Sequence, residues 1–224
     1  MKKNTRGQHS AWTEGGAADD WFERNRAKLA SDSTTPRSTA LFANYIRPGQ
    51  RVLEIGTSNG HQLNRLQQLT ACEAFGIDPS KSAIADGNSK YPSLRLSVGT
   101  ADKLEFPDES FDVVIFGFCL YLVDRSQLMR AAAESDRVLR RNGMLMIVDF
   151  DPAVAHRRAF AHQQGLWSYK MCYPNLWLAN PDYVMGDKCT FSHQGDHFHA
   201  DPEERVSAWV LVKQDHDSAY PRLA

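Results

Sequence analysis

At 224 residues the chain is long enough to bury a full hydrophobic core, as one domain with an elaboration. Its 26 Lys and Arg against 27 Asp and Glu leave a formal net charge of -1, which gives no global basic footprint for a nucleic acid or a membrane surface. The four cysteines (Cys72, Cys119, Cys172 and Cys189) are scattered with no Cys-x-x-Cys pair. That argues against a disulfide framework or a zinc site, and for reduced thiols in a cytoplasmic setting.

Polar residues follow Lys2 and Lys3 where a secretory leader would be apolar. The longest apolar stretch, 113–123, has 11 residues, against roughly 20 for a membrane-spanning helix. Within the polar first segment, Trp12, Trp21 and Phe22 carry apolar area that gains by docking. Asp19 or Asp20 is placed to cap a helix over 21–29, and 31–35 reads as a loop. Pro36 opens a second helix over 37–46, which Pro48-Gly49 ends.

From there the pattern alternates. Strands are expected over 52–55, 73–77, 94–98, 111–116 and 144–150, with helices over 60–69, 80–90 and 126–141 between them. In the last helix Leu128, Ala131, Ala132, Val138 and Leu139 keep helical spacing, and Asn142-Gly143 suits a left-handed stop. Short, nearly continuous apolar strands separated by helices mean a parallel sheet covered on both faces. Residues 151–184 are rich in aromatic residues and histidine, and two further strands are expected over 185–191 and 206–213.

The first strand runs into Glu54-Ile-Gly56-Thr-Ser-Asn-Gly60. Glycines at a strand-to-helix turn let the backbone approach a nucleotide-like ligand, but such turns are common and decide nothing alone. Glu54, just before the turn, is too costly to bury without a partner, and a ligand cation fits that role. Asp78 closes the second strand, 18 residues after Gly60, where a carboxylate can accept both ribose hydroxyls or simply cap the helix that follows. Thr100-Ala101-Asp102, just past the third strand, offers a side-chain acceptor and backbone N–H groups to an adenine edge. A redox dinucleotide would call for a third glycine at position 61, where His stands, and Glu54 would repel its pyrophosphate. A nucleoside with an ammonium group and no phosphate suits the pattern.

Taken together, Glu54-x-Gly56-x-x-x-Gly60, Gly76-Ile-Asp-Pro-Ser80, Ala101-Asp102, Phe111-Asp-Val-Val114 and Val138-Leu-Arg-Arg-Asn-Gly-Met-Leu145 resemble class I S-adenosylmethionine-dependent methyltransferases, in the family order over about 50–150. The resemblance implies a Rossmann-like α/β fold with a seven-stranded, mostly parallel sheet in the order 3-2-1-4-5-7-6 and strand 7 antiparallel. It implies S-adenosylmethionine as cofactor, with Glu54 at the methionine amino end, Gly56, Thr57, Ser58 and Gly60 packing against the cofactor, and Asp78-Pro79 at the ribose. Ala101 and Asp102 would hold the adenine, and Gly117 and Phe118 would line the methionine side. Ser58 departs from the glycine that the family often carries there.

Residues 1–49 are then an N-terminal helical lid, 50–150 the cofactor-binding core, and 151–224 a substrate-binding insert with the final strand pair. The flanks look similar to small bacterial methyltransferases of surface-polysaccharide and nucleotide-sugar pathways, which implies O-methylation of a sugar, sugar nucleotide or related small molecule. The expected partner is that acceptor, with no nucleic acid or membrane, on a monomer or homodimer. An N- or O-methyltransferase on another natural product is the competing enzyme reading, and a non-catalytic binding module with the cofactor fold is the competing class. His162, Asp149 and Tyr121 are the candidates for handling the acceptor proton. Lys170 offers a charge to an anionic substrate group, and Trp167 and Trp177 offer stacking surfaces. The run His193-Gln-Gly-Asp196-His197-Phe-His199 invites a metal reading, but a flexible hairpin loop is the expectation and no metal site is assigned.

Overall fold

Strand β1 (Arg51–Ile55) is covered on both faces, and only its first residue is exposed. It pairs in parallel with β2 (Glu73–Asp78) on one side and β4 (Phe111–Gly117) on the other. β3 (Arg95–Val98) extends the β2 side, and β5 (Leu139–Phe150) the β4 side. The last two strands, β8 (Tyr183–Ser192) and β9 (Arg205–Lys213), complete a seven-stranded sheet ordered β3-β2-β1-β4-β5-β9-β8. β9 runs antiparallel to both β5 and β8. This is the expected order 3-2-1-4-5-7-6, with the penultimate position in the sheet taken by the last strand of the chain. The computed structural model describes residues 7–31, 35–195, 197–198 and 200–221.

Helices cover the faces as the alternation requires. α1 (Gln8–Thr13), α2 (Ala17–Ser31) and α3 (Arg37–Ala43) precede the sheet. α4 (His61–Thr70), α5 (Lys81–Lys90) and α6 (Leu128–Val138) connect its strands. Val52, Leu53, Phe111, Val113, Val114, Phe116, Leu145, Met146 and Ile147 are almost wholly inaccessible and form the centre of one core. Among the described residues no helix is long and apolar enough to cross a membrane.

Three expectations are corrected. α6 ends at Val138, and β5 already begins at Leu139, whose fully buried side chain sits opposite Phe111. Asn142 does take the left-handed conformation (φ +60°), but it bends a strand there instead of stopping a helix. Residues 151–184, expected only as a segment rich in aromatic residues and histidine, hold an antiparallel hairpin of β6 (His156–Ala159) and β7 (Trp167–Lys170), with His162 in the connecting loop, followed by the short α7 (Asn175–Leu178). Asp19 lies inside the first turn of α2 instead of capping it. Its carboxylate reaches across to α5, accepting from Ser80 Oγ (2.7 Å), Ser82 N (3.0 Å) and Ser82 Oγ (2.9 Å). A negative charge at that helix start is favourable, and it ties the N-terminal segment to the sheet layer.

Candidate functional site

The carboxyl ends of β1, β2 and β4 open onto two adjoining clefts, where an open parallel sheet is expected to bind a ligand. Trp21, Gly56, Ser58, Gly117 and Phe118 line both clefts and form the throat between them.

In the first cleft Asp78 ends β2 with both oxygens engaged by the backbone. Oδ2 accepts from Ser58 N (2.8 Å) and Oδ1 from Ser80 N (2.9 Å). It is not the helix cap: Ser80 caps α5, its hydroxyl accepting from Ala83 N. Burial pushes the Asp78 carboxyl up to about 6, against the pull of those two N–H donors. Each oxygen retains a lone pair for a ligand hydroxyl. Ser58, in the family's frequent glycine position, takes φ +53°. A non-glycine residue there costs roughly 1–2 kcal/mol, and the conformation aims its N–H at Asp78. Pro79, Thr100, Ala101 and Asp102 line the far wall.

The second cleft begins at Glu54. Its carboxyl is buried and accepts from Thr57 Oγ1 at 2.6 Å. Burial pushes it up to about 7, and the neighbouring Asp78 charge adds to the rise. Gly117 makes room for it, because a Cβ at that position would lie 2.8 Å from Glu54 Oε1. Among the described residues neither cleft is lined by a Lys or Arg, while Glu54, Asp78, Asp102 and Asp124 all line them. Such a site suits a ligand that brings its own positive charge.

Ten of the eleven residues expected at the cofactor line one cleft or the other. Gly60 lines neither: it precedes α4 in the left-handed conformation, and a Cβ there would lie 2.9 Å from Leu94 Cδ1.

The roof comes from the N-terminal segment, through His9, Trp12, Thr13, Ala18 and Trp21. Gln8 anchors it. Its Nε2 donates to Leu122 O (2.7 Å) and Trp167 O (2.9 Å), and its Oε1 accepts from Trp167 N (2.9 Å). One side chain thus pairs with β7 as a strand would, while holding the turn Leu120–Leu122 that follows β4. His9 N donates to Asp124 Oδ2 (3.1 Å), and its imidazole stands 3.9 Å from Asp102.

The three proton-handling candidates separate. Tyr121 lines the first cleft, and burial drives its phenol well above its ordinary value, so it stays neutral. Asp149 is wholly buried and lines neither cleft. Its Oδ2 accepts from Tyr121 N (3.2 Å) and its Oδ1 from Phe150 N (2.8 Å), and burial pushes it up to about 8. It therefore orients the turn that presents Tyr121. His162 is exposed in the β6–β7 connection with its ring against Phe160 and lines neither cleft, because the hairpin carries it outward.

His193, which sequence reasoning placed only in a metal-like run, is instead stacked on Phe118 (ring centroids 5.6 Å, 19°) and lies 5.3 Å from Phe150. Burial lowers its pKa. Lys170 Nζ sits 3.9 Å above the Phe150 ring and donates to Glu203 O (3.0 Å). Trp177 is core, packed on Phe116, whereas Trp167 lies under the Arg157 guanidinium. Asp196 and His199 lie outside the described residues; among those described, no group of three or more His, Cys, Asp or Glu is placed to hold a metal ion.

Residues 53–147 match a family model described as a methyltransferase domain. The chain is 32% identical over 109 residues to an uncharacterized methyltransferase, YcgJ, of Bacillus subtilis, covering 46% of this chain and 42% of that protein. It is 32% identical over 114 residues to a demethylmenaquinone methyltransferase of Beutenbergia cavernae, covering 51% of this chain and 46% of that protein. The chain thus spans less than half the length of these relatives. Among solved structures, a Burkholderia thailandensis 1,6-didemethyltoxoflavin-N1-methyltransferase with bound 1,6-didemethyltoxoflavin and S-adenosylhomocysteine superposes with a TM-score of 0.72 at 13% identity, covering 96% of this chain and 94% of that one.

Proposed function

We propose, from the match of residues 53–147 to a methyltransferase-domain model and from the sheet order β3-β2-β1-β4-β5-β9-β8, that the chain is an S-adenosylmethionine-dependent methyltransferase acting on a small molecule. The observation that carries the reading is the pair of carboxylates, the buried Glu54 and Asp78 at the end of β2, on either side of a throat that no basic residue lines among those described. A nucleoside with an ammonium tail supplies what both lack. The donor set fits in other respects. Gly117 leaves a cradle that a Cβ would fill, and Ser58 Oγ is buried without a hydrogen-bond partner beside it. Asp78 would take the ribose hydroxyls, Asp102 and Ala101 the adenine, and Glu54 the amino group. The bound cofactor would supply an electrophilic methyl group.

The chain's own residues do the rest. The α1–α2 roof excludes water, and a dry, fixed geometry is where much of the rate of such a transfer originates. The acceptor is taken to be a hydroxyl of a sugar, sugar nucleotide or related small molecule. Phe118 and Tyr121, which line the first cleft, support stacking of a ring. Burial keeps the Tyr121 phenol protonated, so it is a hydrogen-bond donor to the acceptor and not a base at neutral pH.

Isothermal titration with S-adenosylmethionine and S-adenosylhomocysteine tests the cofactor, with micromolar binding expected; no heat from either at millimolar concentration would end the reading. Turnover against sugars, sugar nucleotides and quinols then tests the acceptor class. Cofactor binding without transfer to any of them would favour a non-catalytic module.

A further inference from the structure

The two clefts divide the polar groups between them. Asp78 and Asp102 belong to the first and Glu54 to the second. A ligand engaging both sets has to thread the throat, and its middle atom lies there. The throat contains two aromatic rings: Trp21, projecting from α2, and Phe118, just past β4. Phe118 is held at φ +56°, a region that bulky side chains seldom enter. Its N–H donates to Phe116 O (3.2 Å) and Val148 O (3.1 Å), and its ring is fixed by Tyr121, Phe150 and His193. Strain of this kind persists where the surroundings over-determine a functional side chain. Trp21 comes from outside the residues that match the methyltransferase domain, so no core motif accounts for it. The segment carrying it is fixed to the sheet layer by Asp19 on Ser80 and Ser82 and by Arg26 on Asp86 (3.0 Å).

We propose that Trp21 and Phe118 form a sulfonium-recognising pair, so that this chain holds the charged cofactor more tightly than its neutral thioether product. The inference rests on the cofactor reading above. A ring face attracts a cation through its quadrupole and gives little to a neutral sulfur of the same size, and Trp does this best. The carboxylates on both sides of the throat act in the same direction. Transfer of the methyl group removes the positive charge from the throat, so the product leaves a site built for a cation. Charge loss, and not displacement by fresh cofactor alone, then drives release.

The test is calorimetric and needs no acceptor. S-adenosylmethionine, S-adenosylhomocysteine and sinefungin, which carries an ammonium in place of the sulfonium, are titrated into the wild-type chain and into Trp21→Leu and Trp21→Phe. In the wild type the two cationic ligands are expected to bind at least about tenfold more tightly than the thioether, which is about 1.4 kcal/mol. Trp21→Leu should weaken the cationic ligands about five- to tenfold and leave the thioether within about twofold, while Trp21→Phe keeps most of the preference. Phe118→Leu should move the ratio in the same direction by an independent route, so that a poorly folded Trp21 variant does not leave the matter undecided. Thioether binding as tight as that of S-adenosylmethionine in the wild type overturns the inference, as does an equal loss for all three ligands in Trp21→Leu, which marks Trp21 as a lid contact only. In both cases the cofactor reading survives. No binding of any ligand to the wild type removes both.

Discussion

The two sides of the cleft are built on different principles. The floor is made of strand ends, and β1, β2 and β4 place Glu54, Asp78 and Gly117 within one hydrogen-bonded register, where Glu54 lies opposite Gly76 on one side and Ile115 on the other. The roof is made of pieces distant in sequence, namely α1, α2, the Leu120–Leu122 turn and the β6–β7 hairpin, joined by side chains such as Gln8. The floor is therefore as rigid as the core beneath it. The roof is only as firm as a few hydrogen bonds, each contributing about 0.5–1.5 kcal/mol. Ligand selectivity of the floor should be hard to change without loss of binding, and that of the roof should be adjustable.

The largest effect expected on this contrast is in the floor. Asp78→Ala removes a charged acceptor for two ligand hydroxyls and frees the Ser58 and Ser80 N–H groups. Titration with S-adenosylhomocysteine should show affinity down at least about a hundredfold, at about 1.5 kcal/mol or more for each of two charged hydrogen bonds. A change below threefold would mean that the ribose is held elsewhere.

A second effect is on stability. Glu54, Asp78 and Asp149 are raised by burial to about 7, about 6 and about 8. For acids raised in the folded state, folding binds protons, so the stabilisation is complete below the ordinary carboxylate range and is lost as pH rises through 6 to 8. The ligand-free protein should melt at a clearly lower temperature at pH 8.5 than at pH 5. Asp149→Asn should flatten the upper part of that curve, and a flat curve in the wild type would contradict the burial of these groups. The same ionisation makes binding of a cationic ligand stronger as pH rises through about 7.

The smallest effect belongs to the roof. Gln8→Ala should lower the melting temperature by about 3–6 °C, from the loss of three hydrogen bonds at about 0.5 kcal/mol each, the low end for partly exposed bonds. It should also speed amide exchange in α1 while β1 and β4 stay protected. Exchange rising in both layers together would show that roof and floor open as one unit. His162→Ala, on the exposed connection, should alter neither the melting temperature nor ligand affinity, and serves as the control.

The same contrast governs what could be read from the amino-acid sequence. The floor was legible because its signals are local: a strand period, a glycine turn and a carboxylate at a strand tip all lie within a few residues of each other. The seven-strand order followed from the resemblance those motifs carry. The roof was legible only as a docked segment. Trp12 and Trp21 announced burial, but nothing adjacent to Gln8 signals that its carboxamide will pair with Trp167. His193 lies in the hairpin connection expected for it, but its contacts were not legible for the same reason. Its partners Phe118 and Phe150 come from the ends of two other strands, and the three meet only once β9 has brought β8 alongside. The hairpin that carries His162 away from the cleft has no strong local signature. The packing of Gly60 was not legible because Leu94 and Leu96, which a Cβ there would meet, lie more than thirty positions away.

The position of β9 has a consequence for synthesis. Emerging from the ribosome last of the seven, it lies between β5 and β8 and not at an edge. Until residue 213 is free, β5 presents an open edge flanked by the wholly apolar Leu145, Met146 and Ile147, and such an edge templates pairing with another chain. The buried Lys213 makes arrival of the last residue count as well, since its Nζ donates to Asp136 O (2.7 Å) and Leu139 O (3.0 Å) and so closes the join between α6 and β5. The floor of the cleft, complete by residue 117, thus waits on the ribosome for nearly a hundred further residues before the sheet that supports it is sealed.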